Sequence, residues 1–527
     1  MGKVYFPQYR KGRDGIEAFE GTILEHAQVL GVEIASECGG LGTCGRCVVR
    51  VDKGGAALGE RTAAEKKHSL AEDERLACQA RVVDPEANVR LFVKDFGNYS
   101  ILADTLQDHV ELQPFVRHES GRVIHGDVGD VGPHRGELYG LAIDVGTTTV
   151  VTQIVDLEDG RHLATLSRKN PQISYGNDVI SRIGFTMEHE GGLRQLQKSV
   201  VGGLNEDLEA YAEENGEFRD RVYDVVVVGN STMRNILFGQ PVRTLGVIPY
   251  EAENPDSINT NARQIGLNVN PSCRIYGPAL IGGHAGADAL ADIMACGMYH
   301  DEEVSMLIDI GTNGEVAIGN RERLMTASCA AGGAYEGATI RCGCGAIDGA
   351  IKNIWFHDEH VDFETIGDSP AVGICGSGLI DLLAELLRSG RMSRKAKIEE
   401  DFAVNAGIFL TQEDIYQLIT AKAGLRADQD MLMRYYGVEL EEIEKIYLAG
   451  GFGNYINAEN AVAIGLMPPA ADKIVRIGNA ALAGARAMLL SREVREQSEE
   501  IAGAVEHARP NEREADFPYL VAERMYF

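Results

Sequence analysis

The sequence predicts a multidomain α/β protein. It comprises a small β-rich domain holding a metal centre, a polar linker, and a large α/β domain made of two similar halves. Three observations predict this. Four cysteines fall in the pattern C-x5-C-x2-C-x30-C, three of them inside "SECGGLGTCGRCVV". An Asp–Gly–Thr turn between apolar stretches occurs twice, at Asp144 and at Asp309. Residues 96–136, between these two signatures, are polar and rich in glycine. The expected boundaries are therefore 1–95, 96–136 and 137–527.

Composition narrows the class. The 527 residues are 44% hydrophobic and 24% charged, ordinary for a soluble globular chain. The net charge of −29 argues against nucleic acid, whose phosphates such a surface repels. No apolar run approaches the roughly 18 residues of a membrane span. "MGKVYFPQYRKG" has neither the apolar core of a signal peptide nor a Ser or Thr at position 6 for myristoylation. The expectation is a cytoplasmic protein. Ten cysteines in such a chain point to metal or redox chemistry rather than a disulfide framework.

In the first domain, "KVYFPQ" and "GIEAFE" read as short strands. "GTILEHAQVLG" reads as a helix, with Thr22 and Glu25 at capping-box spacing and Gly31 as its stop. "CVVRV" resumes a strand, Thr62 and Glu65 open a second short helix, and "NVRLFVKD" closes the unit. Cys38, Cys44 and Cys47 on one loop, with Cys78 far along the chain, have the plant-type 2Fe–2S arrangement. The loop glycines let the backbone wrap closely and aim N–H groups at cluster sulfurs. Zinc or buried structural cysteines are the other readings of these residues. The spacing, together with "RLACQ" around Cys78, resembles the adrenodoxin-like branch of ferredoxins, which implies a β-grasp ferredoxin-like domain.

The linker carries His109, His118, His125 and His134, which lack the spacing of metal ligands. It is expected to hold at most one short strand or helix.

In the large domain, "YGLAIDVGTTTVV" and "SMLIDIGTNGEV" share one order: strand, Asp, Gly–Thr turn, strand. Two such halves facing each other create a cleft. Gly146, Thr147, Thr148 and Thr149, and Gly311, Thr312, Asn313 and Gly314, offer backbone and side-chain donors to phosphate. Asp144 and Asp309 suit Mg²⁺ beside a nucleotide triphosphate. In "KIYLAGGFGNYIN" an apolar strand runs into Gly450 and Gly451, where a base or ribose can approach the backbone. The chain has no P-loop motif. Glu336 is a candidate for orienting water, His284 reads as a local hydrogen-bonder, and Cys342 and Cys344 read as buried structural thiols.

"LAIDVGTTTV", "LIDIGTNGEV" and "IYLAGGFG" resemble the two phosphate motifs and the adenosine motif of the acetate and sugar kinase/Hsp70/actin superfamily. The resemblance implies a duplicated ribonuclease-H-like ATPase domain, with ATP and Mg²⁺ in the cleft. In that role Asp144 and Asp309 lie near the metal through water, and Gly450 and Gly451 lie at adenosine. With "NPQISYGNDVISRI" and "GFGNYIN" added, the whole chain resembles the reductive activators of corrinoid proteins. That resemblance implies ATP-dependent transfer of one electron from a 2Fe–2S cluster to the Co(II) corrinoid of a methyltransferase partner. It also implies an upstream low-potential electron donor and a homodimer. Two alternatives are an ATP-dependent donor to another low-potential enzyme, and a non-enzymatic iron–sulfur redox sensor that binds ATP.

Overall fold

The computed structural model describes residues 2–7, 12, 14–32, 34, 40–42, 45, 47–68, 70–93, 110–330, 332–337, 339–357, 360–451 and 455–527. The first domain contains β1 (Lys3–Tyr5), β2 (Ile16–Glu17), β3 (Val48–Lys53), β4 (Glu74–Leu76) and β5 (Val89–Val93), in the sheet order β2-β1-β5-β3-β4. β1 runs parallel to β5 and the other pairs are antiparallel. The helix Ile23–Leu30 packs on this sheet through Ile23 and Ala27, which share a buried core with Val4, Val49, Leu76 and Leu91. This is the β-grasp arrangement. Thr22 and Glu25 close the reciprocal capping box, and Gly31 (φ 69°) ends the helix in the left-handed region. The short helix expected after Thr62 is a single 3₁₀ turn, Glu65–Lys67. Thr62 and Glu65 still exchange capping bonds, but the Glu65 carboxylate also holds Arg75 and the Leu76 amide, which binds the turn to β4.

The segment expected to be a linker differs from expectation. β6 (Val116–Glu119), β7 (Arg122–His125) and β8 (Gly129–Pro133) form an antiparallel sheet. Val116 and Val123 pack it onto the first half of the large domain, beside Leu138, Val155 and Leu489. Its strands bury few side chains and are rich in glycine, so no apolar alternation announced them. His118 and His134 stack at 3.9 Å, and Glu158 reaches the same spot.

The two halves repeat one topology. In the first, β9 (Tyr139–Val145), β10 (Thr149–Asp156), β11 (His162–Lys169), β12 (Val222–Val228), β13 (Ile258–Asn261) and β14 (Arg274–Gly277) lie in the order β11-β10-β9-β12-β14-β13. The second half opens with β15 (Ser305–Ile310), β16 (Asn313–Gly319) and β17 (Leu324–Ala330). An insertion follows, with the small sheet β18 (Ala350–His357), β19 (His360–Thr365) and β20 (Gly373–Ile374) and the hairpin β21 (Phe402–Asn405) and β22 (Ile408–Leu410). β23 (Lys445–Ala449), β24 (Ile474–Gly478) and β25 (Glu506–His507) complete the order β24-β23-β15-β16-β17-β25. In both halves a three-stranded antiparallel meander is extended by two parallel strands, the ribonuclease-H-like arrangement.

The halves exchange helices. Ala287–Cys296 follows the first half, yet Leu290, Ile293 and Met294 pack against Leu307, Ala317 and Tyr447 of the second. Ala480–Leu490 follows β24, yet Ala481, Leu482, Ala485 and Met488 pack against Ala142, Val151 and Val226 of the first. The two helices cross on small residues. Among the described residues, no helix is long and apolar enough to cross a membrane.

A Cβ at Gly484 would lie 2.0 Å from the carbonyl oxygen of Ala291, so the crossing admits no side chain there. Gly484→Val is therefore expected to destabilise the protein by about 1–3 kcal/mol. Gly503→Ala, at a helical site with open space around it, is expected to be neutral or slightly stabilising. Denaturant unfolding of both variants checks this pair.

Candidate functional site

The first site is the cysteine loop. Cys47 immediately precedes β3 and Cys78 follows β4, and pairing of these strands brings their sulfurs to 3.3 Å. Both are almost fully buried. Thiolates on one tetrahedral metal stand about 3.7 Å apart when metal–sulfur bonds are about 2.3 Å, so this pair could share one iron with little movement. Cys38 and Cys44 lie outside the described residues. The described part of the loop is clamped from the protein side. Gln79 Nε2 donates to the Gly40 carbonyl at 2.8 Å, and His68 Nε2 lies 3.0 Å from the Gly42 carbonyl. Gly42 (φ 72°) and Gly45 (φ 70°) lie so close to Gln79 and His68 that a Cβ would clash. Buried paired thiols beside a loop held close at Gly42 and Gly45 fit a 2Fe–2S cluster.

The second site lies between the halves. Period-2 alternation puts Asp144 on the face of β9 that carries Ala142, and Asp309 on the face of β15 that carries Leu307. Those faces meet the exchanged helices, so both carboxylates point into one cavity. Gly146, Thr147, Thr149, Gly311, Thr312, Asn313, Gly450 and Gly451 line it as well. Of the other expected phosphate-turn residues, Thr148 reaches across the cleft to Thr312, hydroxyl to hydroxyl at 3.0 Å. Gly314 packs behind its turn, against Leu425 and Cys329. Glu336 accepts hydrogen bonds from Thr148 at 3.1 Å and from Thr312, so one carboxylate ties the two turns together.

The first turn is braced from behind. Asn170 Nδ2 donates to the Gly146 carbonyl (2.8 Å), Arg182 Nη2 to that of Thr147 (2.6 Å), and the Asn170 amide to that of Thr148 (2.7 Å). In a trans peptide the next residue's N–H points opposite to the carbonyl, so the Thr147 and Thr148 amides face away from the brace. Arg182 is fully buried, and burial pulls its pKa down to about 9. It also donates to the Gly176 carbonyl, to Gln172 and to the Met233 sulfur. A cation behind a phosphate turn favours an anion in front of it. The glycines behind the turns are matched too. Gly229 (φ 152°) closes on the Val145 carbonyl, and Gly450 (φ 119°) closes on that of Ile310, each leaving 2.6 Å for a Cβ.

The carboxylates govern the electrostatics. Asp288 and Asp292 from the helix Ala287–Cys296, and Glu315 opposite Asp309 in the sheet, join Asp144, Asp309 and Glu336. Burial raises the pKa of Asp144 to about 6 despite a 3.1 Å bond from Asn479, with Glu336 adding to the rise. Burial, with Asp144 as neighbour, raises Asp288 and Asp309 to about 7. Burial and its acidic neighbours push Asp292 and Glu315 well above the usual range. No lysine or arginine lines the cavity among the described residues. Such a donor set could hold a hard divalent cation through water, with phosphate oxygens completing its shell.

Asn479, Glu315, Asp292 and Arg182 are parts of the site that the sequence reading did not single out. A signal existed for Asn479. Gly478-Asn479 ends a strand and caps a helix, as Gly229-Asn230 does in the first half. His284 sits in a neighbouring cavity with Cys329 and Asp428, 5.3 Å from the Tyr250 ring. Cys344 packs on Gly373, and the Cys342 thiol faces the Gly407 carbonyl at 3.7 Å.

These raised values have a definite sign. Unfolded aspartates ionise near pH 4, before their folded counterparts near 6 to 7. The group therefore costs stability increasingly as pH rises through that window. In EDTA at pH 8, Asp288→Asn is expected to be more stable than the parent by on the order of 2–4 kcal/mol. The gap is expected to shrink as pH falls toward 5. Thermal unfolding across this range checks it, and equal stability at pH 8 would contradict it.

Residues 13–83 match the 2Fe–2S iron–sulfur cluster binding domain, 139–301 the RACo middle region, and 303–526 the C-terminal domain of RACo, described as its ASKHA domain. The chain is 32% identical over 386 residues to the corrinoid activation enzyme RamQ of Eubacterium limosum, covering 68% of this chain and 65% of that one. It thus spans just under two thirds of that relative's length. It is 29% identical over 395 residues to the [Co(II) methylated amine-specific corrinoid protein] reductase of Methanosarcina barkeri, covering 67% and 70% of the two chains. A solved structure, a reductive activator for corrinoid, iron-sulfur protein, aligns over 100% of this chain and 98% of its own, with a TM-score of 0.75 and 28% identity. With the 2Fe–2S domain, the RACo middle region and the C-terminal domain of RACo matched in order along one chain, the two RACo models together over most of it, the protein belongs to the RACo family.

Proposed function

We propose that this chain reduces the Co(II) corrinoid of a partner protein in a methyltransferase system to Co(I), one electron at a time, with ATP hydrolysis. The observation that carries this reading is the joining of two sites in one chain. A buried pair of cysteine ligands sits on a domain docked directly onto the segment that braces a phosphate turn. When bound, the 2Fe–2S centre supplies a one-electron couple, oxidised by one as the cobalt is reduced by one.

The residues divide the remaining work. Cys38, Cys44, Cys47 and Cys78 hold the cluster, and Gln79 and His68 fix the loop around it. Asp144 and Asp309 would hold Mg²⁺ through water. Gly146 to Thr149 and Gly311 to Gly314 take the phosphates, and Gly450 and Gly451 lie against adenosine. Glu336, released from Thr148 and Thr312 when phosphate enters, is placed to orient the attacking water. The partner docks at the cluster loop, whose Leu41 is 74% exposed. A low-potential donor reloads the cluster, and the protein works in the cytoplasm as a homodimer.

ATP is needed where the acceptor lies below the cluster in potential, so that the electron travels uphill. Plant-type clusters sit at roughly −400 mV, and each deficit of about 59 mV lowers a one-electron equilibrium tenfold. Nucleotide-dependent preference for one state of the acceptor supplies the bias.

The test is anaerobic mixing of the reduced holoprotein, a Co(II) corrinoid protein and MgATP. The Co(I) absorption band is expected with MgATP, and reduced at least about tenfold without it. Cys78→Ser is expected to yield no band. Absence of the band with an intact cluster, across several corrinoid partners, would overturn the reading.

A further inference from the structure

The first domain hydrogen-bonds the large domain at Ser174, the last residue of the segment 170–174. Gln28, in the last turn of the helix Ile23–Leu30, donates Nε2 to the Ser174 carbonyl at 2.7 Å. The Ile34 amide donates to Ser174 Oγ at 3.4 Å, four residues before Cys38. Alongside runs a groove of about 330 Å³ between Gln28–Val32 and Arg168, Tyr175 and Lys198. Among the described residues, no hydrophobic cluster spans this boundary. The dock is polar and narrow, of the kind that a small displacement can undo.

The same short segment holds the first phosphate turn. Asn170 bonds the Gly146 and Thr148 carbonyls, and Gln172 bonds Arg182, which holds that of Thr147. Between Asn170 and Ser174 the chain is stiff. Pro171–Ser174 is a 3₁₀ turn capped by the Asn170 side chain, and Asn170, Gln172 and Ser174 are buried. Its other side is fixed by Gln172 Nε2 on the Leu196 carbonyl. A shift at Asn170 therefore reaches Ser174 within one turn of helix.

We infer that residues 170–174 are a strap coupling occupancy of the first phosphate turn to docking of the ferredoxin-like domain. A triphosphate that draws the Thr147 and Thr148 amides into the cleft pulls the strap by Asn170. Ser174 then gives up Gln28 and Ile34, and the cluster domain is freed toward its acceptor. The inference rests on the proposed reading of Gly146–Thr149 as a phosphate site.

Hydrogen exchange of segment 23–34 in the cluster-loaded full chain tests it, with and without a Mg²⁺-bound non-hydrolysable ATP analogue whose binding is measured by calorimetry. The analogue is expected to speed exchange there about fivefold, the factor for one ordinary hydrogen bond. Gln28→Ala is expected to exchange faster without nucleotide, to respond little when the analogue binds, and to bind the analogue up to about fivefold more tightly because the coupling is reciprocal, with an unchanged cluster spectrum. Analogue binding that leaves parental exchange unchanged would overturn the strap, as would a Gln28→Ala variant that exchanges and responds like the parent. Failure of the parent to bind the analogue at all would instead overturn the phosphate reading, and the strap with it.

Discussion

Six carboxylates packed between two halves of one domain are the constraint on which the rest of this structure depends. Asp144, Asp288, Asp292, Asp309, Glu315 and Glu336 come from five elements, Asp288 and Asp292 sharing one helix, and no basic side chain lines the cavity among the described residues. Charges of one sign in a partly buried site repel strongly and are solvated poorly. Protonation relieves this near neutral pH, as the raised values of Asp144, Asp288 and Asp309 express. A divalent cation with phosphate relieves it differently, by giving the negative charge something to hold. The fold thus stores an electrostatic cost that its proposed ligand removes.

Helix exchange makes that cost a lever. Ala287–Cys296 carries Asp288 and Asp292 but packs under the second half, and Ala480–Leu490 begins at Asn479 but packs under the first. Anything that moves one half relative to the other moves these groups. The Thr148–Thr312–Glu336 contact closes the two turns on each other, and phosphate competes for the same hydroxyls. Behind the first turn, Asn170 and Arg182 hold its carbonyls, and four residues after Asn170 the chain meets the ferredoxin-like domain at Ser174. Nucleotide chemistry and the cluster domain are separated by one short, stiff segment.

The local parts of this arrangement were legible in the sequence. The Thr22–Glu25 box, the Gly31 stop and the paired Asp–Gly–Thr turns are set by neighbours a few residues apart, so their chemistry can be read from the chain. The parts made by distant pairing were not. Glu315 matters because it lies opposite Asp309, Asn479 because its helix crosses to the other half, and Arg182 because a turn 35 residues away supplies its acceptor. The sheet of residues 116–133 was missed because only Val116, Val123 and His125 in its strands are buried, leaving no period-2 pattern. Two of the four cysteines, Cys38 and Cys44, fall outside the described residues, so the sequence pattern alone places them at the cluster.

The central claim is that this acidic cleft takes a nucleotide only together with a divalent cation. Calorimetric titration of the holoprotein with ATP in Mg²⁺ and in EDTA tests it directly. The account predicts binding in Mg²⁺ and at least about a hundredfold weaker binding in EDTA, because an unshielded triphosphate would meet uncompensated carboxylates. Equal affinity in the two buffers would contradict it.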